Sequence, residues 1–267
     1  MSVPISSFLR NHVKEKLARN EVVASMSVRL VRSIEIARIA HTAGFDTLYV
    51  DVEHNGFSFE STGQICQAAL SVGITPFVRV PTTRPEHVGA ALDCGALGII
   101  APHIRSAEDA RRLVRAAKFS PLGERSAAGT LPHLQYRGYP ASEAYPALND
   151  ATMVIVMMET LEALEKVDEI AAVDGIDMML VGSSDMTAEM GIPGKYEDPR
   201  VRDVFQRTIN ACRKHGKHVG VGGLSTRPDL IAQYVEMGAR FVSSGTDLAF
   251  LSGACAQKAK EVRDIKA

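Results

Sequence analysis

Gly175-Ile-Asp-Met-Met-Leu-Val-Gly182, followed by Ser183-Ser-Asp185, carries the plan of the whole chain in a few residues. A glycine ends one helical stretch, an unbroken apolar run follows, and a polar group closing in a carboxylate comes next. The glycine followed by a short strand recurs at Gly44-Phe-Asp-Thr-Leu-Tyr-Val-Asp51, Gly95-Ala-Leu-Gly-Ile-Ile-Ala-Pro102 and Gly238-Ala-Arg-Phe-Val-Ser-Ser-Gly245. Continuous rather than alternating apolar runs mark strands buried on both faces by flanking helices. The pattern predicts strands near 22–28, 47–53, 75–81, 98–104, 154–160, 178–184, 218–223 and 241–246. Between them lie amphipathic stretches with helix-start signals, such as Thr83-Arg-Pro-Glu86 and Ser106-Ala-Glu-Asp109. Strand and helix therefore alternate around a parallel sheet, as in an α/β (β/α)8 TIM barrel; the pattern alone also fits a doubly wound open sheet.

A single domain over residues 1–267 is expected, with a helix before the first strand and a long insert at about 118–150 between the fourth and fifth. The insert contains Pro121-Leu-Gly-Glu-Arg125 and Arg137-Gly-Tyr-Pro140, and a loop of that length is expected to be a lid, a subunit contact or both. The 267 residues are 46% hydrophobic and 23% charged, with a formal net charge of -1 and no block of like charge. Nothing in that balance suits nucleic acid or an anionic membrane, which leaves small molecules as the expected partners. The four cysteines, Cys66, Cys94, Cys212 and Cys255, form no CxxC pair and read as reduced core thiols. With no leader-like N-terminus and no spanning apolar run, a cytoplasmic, unprocessed protein is expected.

Barrels of this kind place chemistry at the C-terminal ends of their strands. The polar residues found there are Asp51, Glu53 and His54, then Arg79, His103, Glu159 and Asp185. Glu159 and Asp185 close neighbouring strands, and paired carboxylates with room for water suit magnesium, manganese or cobalt. The competing explanation is that each acid caps a helix or pairs with an arginine. His54 is a candidate proton shuttle, although strand parity points it away from Asp51 unless the chain has already left the strand. Arg79 stands inside an apolar strand, where a guanidinium needs an anion; a structural ion pair is the alternative. None of the ten lysines falls at a predicted strand end, which excludes a Schiff-base mechanism. The glycines of Val219-Gly-Val-Gly-Gly-Leu224 and Ser243-Ser-Gly-Thr-Asp247 suit either a phosphate or a tight turn.

Taken together, Gly44–His54, Val78-Arg-Val80, Leu92-Asp-Cys-Gly95, Pro121–Arg125, Glu159-Thr160 and Gly182-Ser-Ser-Asp-Met186 resemble the HpcH/HpaI family of metal-dependent pyruvate aldolases, over about residues 20 to 255. The resemblance implies a barrel of the phosphoenolpyruvate/pyruvate type and a homohexamer. It further implies a carbon-carbon lyase that cleaves a 2-oxo-4-hydroxy acid reversibly to pyruvate and an aldehyde through a metal-bound enolate. Glu159 and Asp185 match the metal ligands, for Mg2+, Mn2+ or Co2+. The backbone N–H groups of Ser184 and Asp185 match those that hold the pyruvate carboxylate. His54 matches the general base, Arg79 the group that steadies the enolate oxygen, and Asp93 the acid that raises the basicity of that histidine, across a subunit boundary if need be. Asp51 is a second candidate to orient His54. The family usually carries glutamine where Met157 stands, facing the substrate site, and an apolar residue in place of His103. A thioether cannot offer an amide's donors. Other enolate chemistry of the superfamily, as in an oxaloacetate-decarboxylating macrophomate-synthase-like enzyme or a CoA-ester lyase, is the alternative, and a catalytically silent binding barrel is the other.

Overall fold

The computed structural model describes residues 3–265; the first two and last two positions of the expected 1–267 domain lie outside it. Eight parallel strands close in sequence order into a barrel: β1 Val23–Val28, β2 Thr47–Asp51, β3 Thr75–Arg79, β4 Gly98–Ala101, β5 Met153–Met158, β6 Met178–Gly182, β7 His218–Gly222 and β8 Phe241–Thr246. All eight predicted strands are present, and closure removes the open-sheet alternative. Every strand is buried on both faces, as the unbroken apolar runs require.

Several strands end earlier than expected. After β4, His103 takes φ 60° and turns the chain, so the strand stops at Ala101. After β6, Ser183 opens a helix, Ser183–Glu189. Asp185 therefore sits in the first turn of that helix and not at the end of a strand. Its Ser-Ser-Asp start is what a helix N-terminus prefers, and that local preference overrides continuation of the strand.

The barrel interior is filled by Phe77, Ile100, Met153, Ile155, Met178 and Phe241, among others. At the N-terminal ends of the strands the helix His12–Ala18 inserts Val13 and Leu17 as a plug. Asn11 locks this plug by donating to the carbonyls of Leu97 and Ala151 at 3.1 and 2.7 Å. Gly98 admits no side chain, because a Cβ there would lie 2.7 Å from the Met153 carbonyl oxygen.

The insert at 118–150 is not a lid over its own barrel mouth. Phe119, Leu131, Leu134, Ala144 and Leu148 form a separate apolar cluster with Ile5 and Leu9 of the N-terminal segment, so burial holds the insert at the plugged end. Its second half is a helix, Ala141–Ala151, that the Pro- and Gly-rich composition did not announce. Lys118 is buried there, donating to the carbonyls of Asn149 and Thr152, and burial lowers its ammonium to about 8. All four cysteines are free, but only Cys66 and Cys212 are core thiols; Cys255 is exposed on the last helix. Burial pushes the Cys212 thiol up to about 12.

That last helix, Asp247–Arg263, buries only its first residue and leaves Leu248, Phe250, Leu251 and Val262 open to solvent. No described helix is long and apolar enough to cross a membrane.

His133 in the insert is fully enclosed, its Nε2–H donating to the Ala96 carbonyl at 2.9 Å, and burial lowers its pKa to about 4. An unfolded imidazole ionises near 6.5. The unfolded chain thus binds the extra proton between those values, and stability present above pH 6.5 is lost as pH falls toward 4. The loss is about 3 kcal/mol in all. Urea unfolding at pH 7 and pH 5 is expected to show a clear drop in the wild type and a smaller one in His133→Gln.

Candidate active site

A cavity of about 310 Å3 opens among the C-terminal strand ends, lined by Arg29, Tyr49, His54, Arg79, Met157 and Asp185 among others. On one side of it stands Asp51, 0% exposed. The β2–β3 register sets Asp51 level with Arg79. Arg79 donates from Nε and Nη2 to the two carboxylate oxygens at 2.9 and 2.7 Å, and Arg29 donates from Nε to Oδ2 at 2.8 Å. Burial alone would raise the Asp51 carboxyl; the hydrogen bonds and charge of Arg79, joined by the charge of Arg29, outweigh it and hold the group below its ordinary value. The ion pair weighed as the alternative for Arg79 is present. It leaves Nη1 free of any carboxylate, 4.0 Å from the Met157 sulfur and facing the cavity.

The other side is acidic. Glu159 lies one residue past β5 and is 4% exposed. Burial raises its carboxyl above the usual range, the nearby charges of Asp185 and Glu53 add to the rise, and a backbone hydrogen bond from His103 opposes it. That bond runs from His103 N–H to Glu159 Oε1 at 2.7 Å, and the positive φ of His103 is what aims the N–H inward. The His103 ring bridges two acids, with Nδ1 3.2 Å from Glu159 Oε1 and Nε2 3.4 Å from Glu53 Oε1. Gly182 makes room for this arrangement: a Cβ there would meet Glu159 Oε2 at 3.3 Å and Met157 Cε at 3.2 Å. Among the described residues no group of three or more His, Cys, Asp or Glu side chains is arranged to hold a metal. A buried Glu159 carboxylate, raised first by burial and then by the like charge of Asp185, is a donor set of oxygens that fits a hard, oxygen-seeking cation.

His54 has left the strand, the condition under which parity no longer turns it away from Asp51, and it is half exposed. Its ring Nε2 is 3.6 Å from Glu53 Oε2, whereas Asp51 reaches only its backbone N–H, at 3.4 Å. Asp51 therefore does not orient the His54 ring, because the two arginines already occupy its oxygens. Asp93, last residue of the helix Pro85–Asp93, does not line the cavity; it accepts from Arg125 at 2.7 Å on the outer surface. Ser184 and Asp185 lie in the first turn of Ser183–Glu189, whose opening N–H groups no side chain caps.

Sequence reasoning missed Arg29 and Asp247. Asp247 is buried and accepts the backbone N–H groups of Arg29, Leu30 and Val31 at 2.7 to 3.2 Å, fixing the loop that carries Arg29. Its position after Thr246 signals a helix start, but no local pattern reveals partners more than two hundred residues away in sequence.

The sequence pattern described as HpcH/HpaI aldolase/citrate lyase matches residues 30–254. This chain belongs to that family. It is 39% identical over 222 residues to the 4-hydroxy-4-methyl-2-oxoglutarate aldolase of Chaetomium globosum, covering 82% of each chain. It is 31% identical over 255 residues to the 2-keto-3-deoxy-L-rhamnonate aldolase of Escherichia coli, covering 95% of this chain and 94% of the other. The crystal structure of an HpcH/HpaI aldolase from Desulfitobacterium hafniense superimposes with a TM-score of 0.90 at 30% identity, covering 96% and 98% of the two chains. The family relationship expected from the motifs is thus established, and the barrel with it.

Asp247→Ala strips the acceptor from the three backbone donors of the loop and from the Leu248 N–H, and is expected to lower the unfolding free energy by about 2 kcal/mol. Amide hydrogen exchange at residues 29–31 is expected to accelerate well ahead of exchange in β1.

Proposed function

We propose that this HpcH/HpaI member cleaves a 2-oxo-4-hydroxy acid reversibly to pyruvate and a carbonyl compound, with a divalent cation held by Glu159 and Asp185. The observation that carries the reading is the buried Glu159 carboxylate, aimed by the His103 N–H, raised by burial and by the charges of Asp185 and Glu53, and packed against Gly182, which lines the same cavity as Asp185 and Arg79. Magnesium, manganese and cobalt are the fitting ions, since the donors are carboxylates. Bound there, the cation supplies Lewis acidity to the pyruvyl keto and carboxylate oxygens.

The chain's own groups do the rest. The N–H groups of Ser184 and Asp185, in the uncapped first turn, hold the pyruvyl carboxylate. His54, through a water where its half-exposed ring stands back, takes the proton of the 4-hydroxyl group. The C3–C4 bond breaks, its electron pair goes to C3, and C4 becomes the released carbonyl. Negative charge collects on the pyruvyl oxygen, where Arg79 Nη1 donates. A proton returned to C3 completes pyruvate. Met157 assists by what it lacks: a thioether is a weak acceptor, so it does not compete for Nη1 as an amide oxygen would. In the synthetic direction the steps reverse.

Two further parts belong to the same proposal. A cytoplasmic setting accords with four free cysteines. A homohexamer accords with the uncovered apolar residues of the last helix and with Asp93, whose outward position lets it serve a histidine only on a neighbouring protomer. Light scattering is the measurement that decides the assembly.

Glu159→Gln is expected to abolish pyruvate release and the manganese-induced rise in melting temperature together. Arg79→Lys keeps a charge beside Asp51 but loses the planar fork. It is expected to lower kcat at least a hundredfold while changing manganese affinity by less than threefold. Turnover retained in Glu159→Gln, or unaffected by a chelator, would sink the reading.

A further inference from the structure

Arg29 is in excess of what the pyruvyl half of the reaction needs. Asp51 is already satisfied bidentately by Arg79, and Arg29 adds a single bond through Nε. Its two terminal NH2 groups have no acceptor among the described residues, and the side chain lines the cavity at 32% exposure. Arg79 also meets Glu53, whose Oε2 lies 3.3 Å from its Nε, whereas Arg29 meets no carboxylate but Asp51 among the described residues. The group is also held in place, its backbone by Asp247 and its guanidinium by Asp51. Loose surface arginines are not fixed at both ends.

The wall beside it is built of hydroxyls. Ser27, the residue before last of β1, is 2% exposed, lines the cavity, and its Oγ has no partner. Tyr49 and Ser243, also lining the cavity, bond each other through their hydroxyls at 3.1 Å. In a barrel closed in sequence order, β1 stands across from β5, so Arg29 and Ser27 face the Glu159 side over the width of the cavity.

We infer that Arg29, with Ser27 beside it, binds a carboxylate on the carbonyl half of the substrate, so that the compound cleaved is a dicarboxylic 2-oxo-4-hydroxy acid. A planar fork with open donors suits a carboxylate bidentately. The unpaired Ser27 hydroxyl donates to the same group or to its neighbouring oxygen. Substrates whose carbonyl half is neutral leave both unsatisfied, which is the arrangement that discriminates most strongly. The released product is then an oxo acid, and Arg29 acts as a specificity-determining residue. This inference rests on the aldolase reading above.

The test is the addition of pyruvate to glyoxylate and to glycolaldehyde, which are close in size and differ in charge, with manganese present. The ratio of kcat/KM for the two acceptors is expected to fall at least tenfold in Arg29→Gln, through a raised KM for glyoxylate, and at least threefold in Ser27→Ala. Arg29→Lys is expected to fall between Arg29→Gln and the wild type. An unchanged ratio in the first two variants, or a wild type that accepts glycolaldehyde but not glyoxylate, overturns the inference. Should Arg29→Gln fail to fold, the ratio in Ser27→Ala decides. Exchange of the pyruvate methyl protons with deuterated solvent separates the two levels. Exchange by the wild type with an unchanged ratio sinks the role of Arg29 alone, whereas absence of exchange sinks the aldolase reading and this inference with it.

Discussion

One buried carboxylate organises the mouth of this barrel. Asp51 has no contact with solvent, yet it stays ionised because Arg79 and Arg29 converge on it from β3 and from the loop after β1. Each partner depends on the others. Without Asp51, two guanidiniums would face each other across a narrow opening; without Arg79, a buried carboxylate would keep one bond from Arg29 and a long one from the His54 N–H. Breaking such a group leaves an uncompensated charge, which costs roughly 3–5 kcal/mol even where the intact group adds little net stability. The cluster is therefore better understood as a device of position than of stability. It sets Arg79 so that Nε and Nη2 are held by Asp51 while Nη1 meets no carboxylate.

From that point the mouth divides by charge. Arg29 and Arg79 stand on the side built on β1 to β3, Glu159 and Asp185 on the side built on β5 and β6, and Glu53, 3.3 Å from Arg79 Nε, lies between them. The two sides meet where His54 and His103 stand against the carboxylate of Glu53. Such preorganised opposite charges in a sheltered cavity act more strongly than in water, because the dipoles need not reorient as charge moves.

The barrel was legible because its strands are buried on both faces and so leave an unmistakable apolar signature, with a glycine before six of the eight. Boundaries were harder. A strand reads onward through Ser183-Ser-Asp185 until the helix that those residues prefer to start is seen in place, and His103 reads as strand until its positive φ is known. Of the site, the residues at strand ends could be named, since β-register carries them to one rim. Their pairing could not. Whether Arg79 meets an anion depends on the level of β2 against β3, and Asp51 and Arg79 are twenty-eight residues apart. Arg29 and Asp247 were invisible for a similar reason, being joined across the closure of the barrel, where β1 meets β8.

That closure explains an otherwise odd feature of the last helix. Asp247 is its one buried residue, and the rest of Asp247–Arg263 lies open to solvent, so helix packing does not account for the burial. The hydrogen bonds do. Three backbone N–H groups of the loop after β1 point at the Asp247 carboxylate, and Thr246 caps the helix by accepting from Ala249. The helix is thus anchored at its first turn by the same contact that immobilises Arg29. A residue that fastens the final element to the first strand also sets the guanidinium at the rim, so the closure of the barrel and the shape of its mouth cannot vary independently.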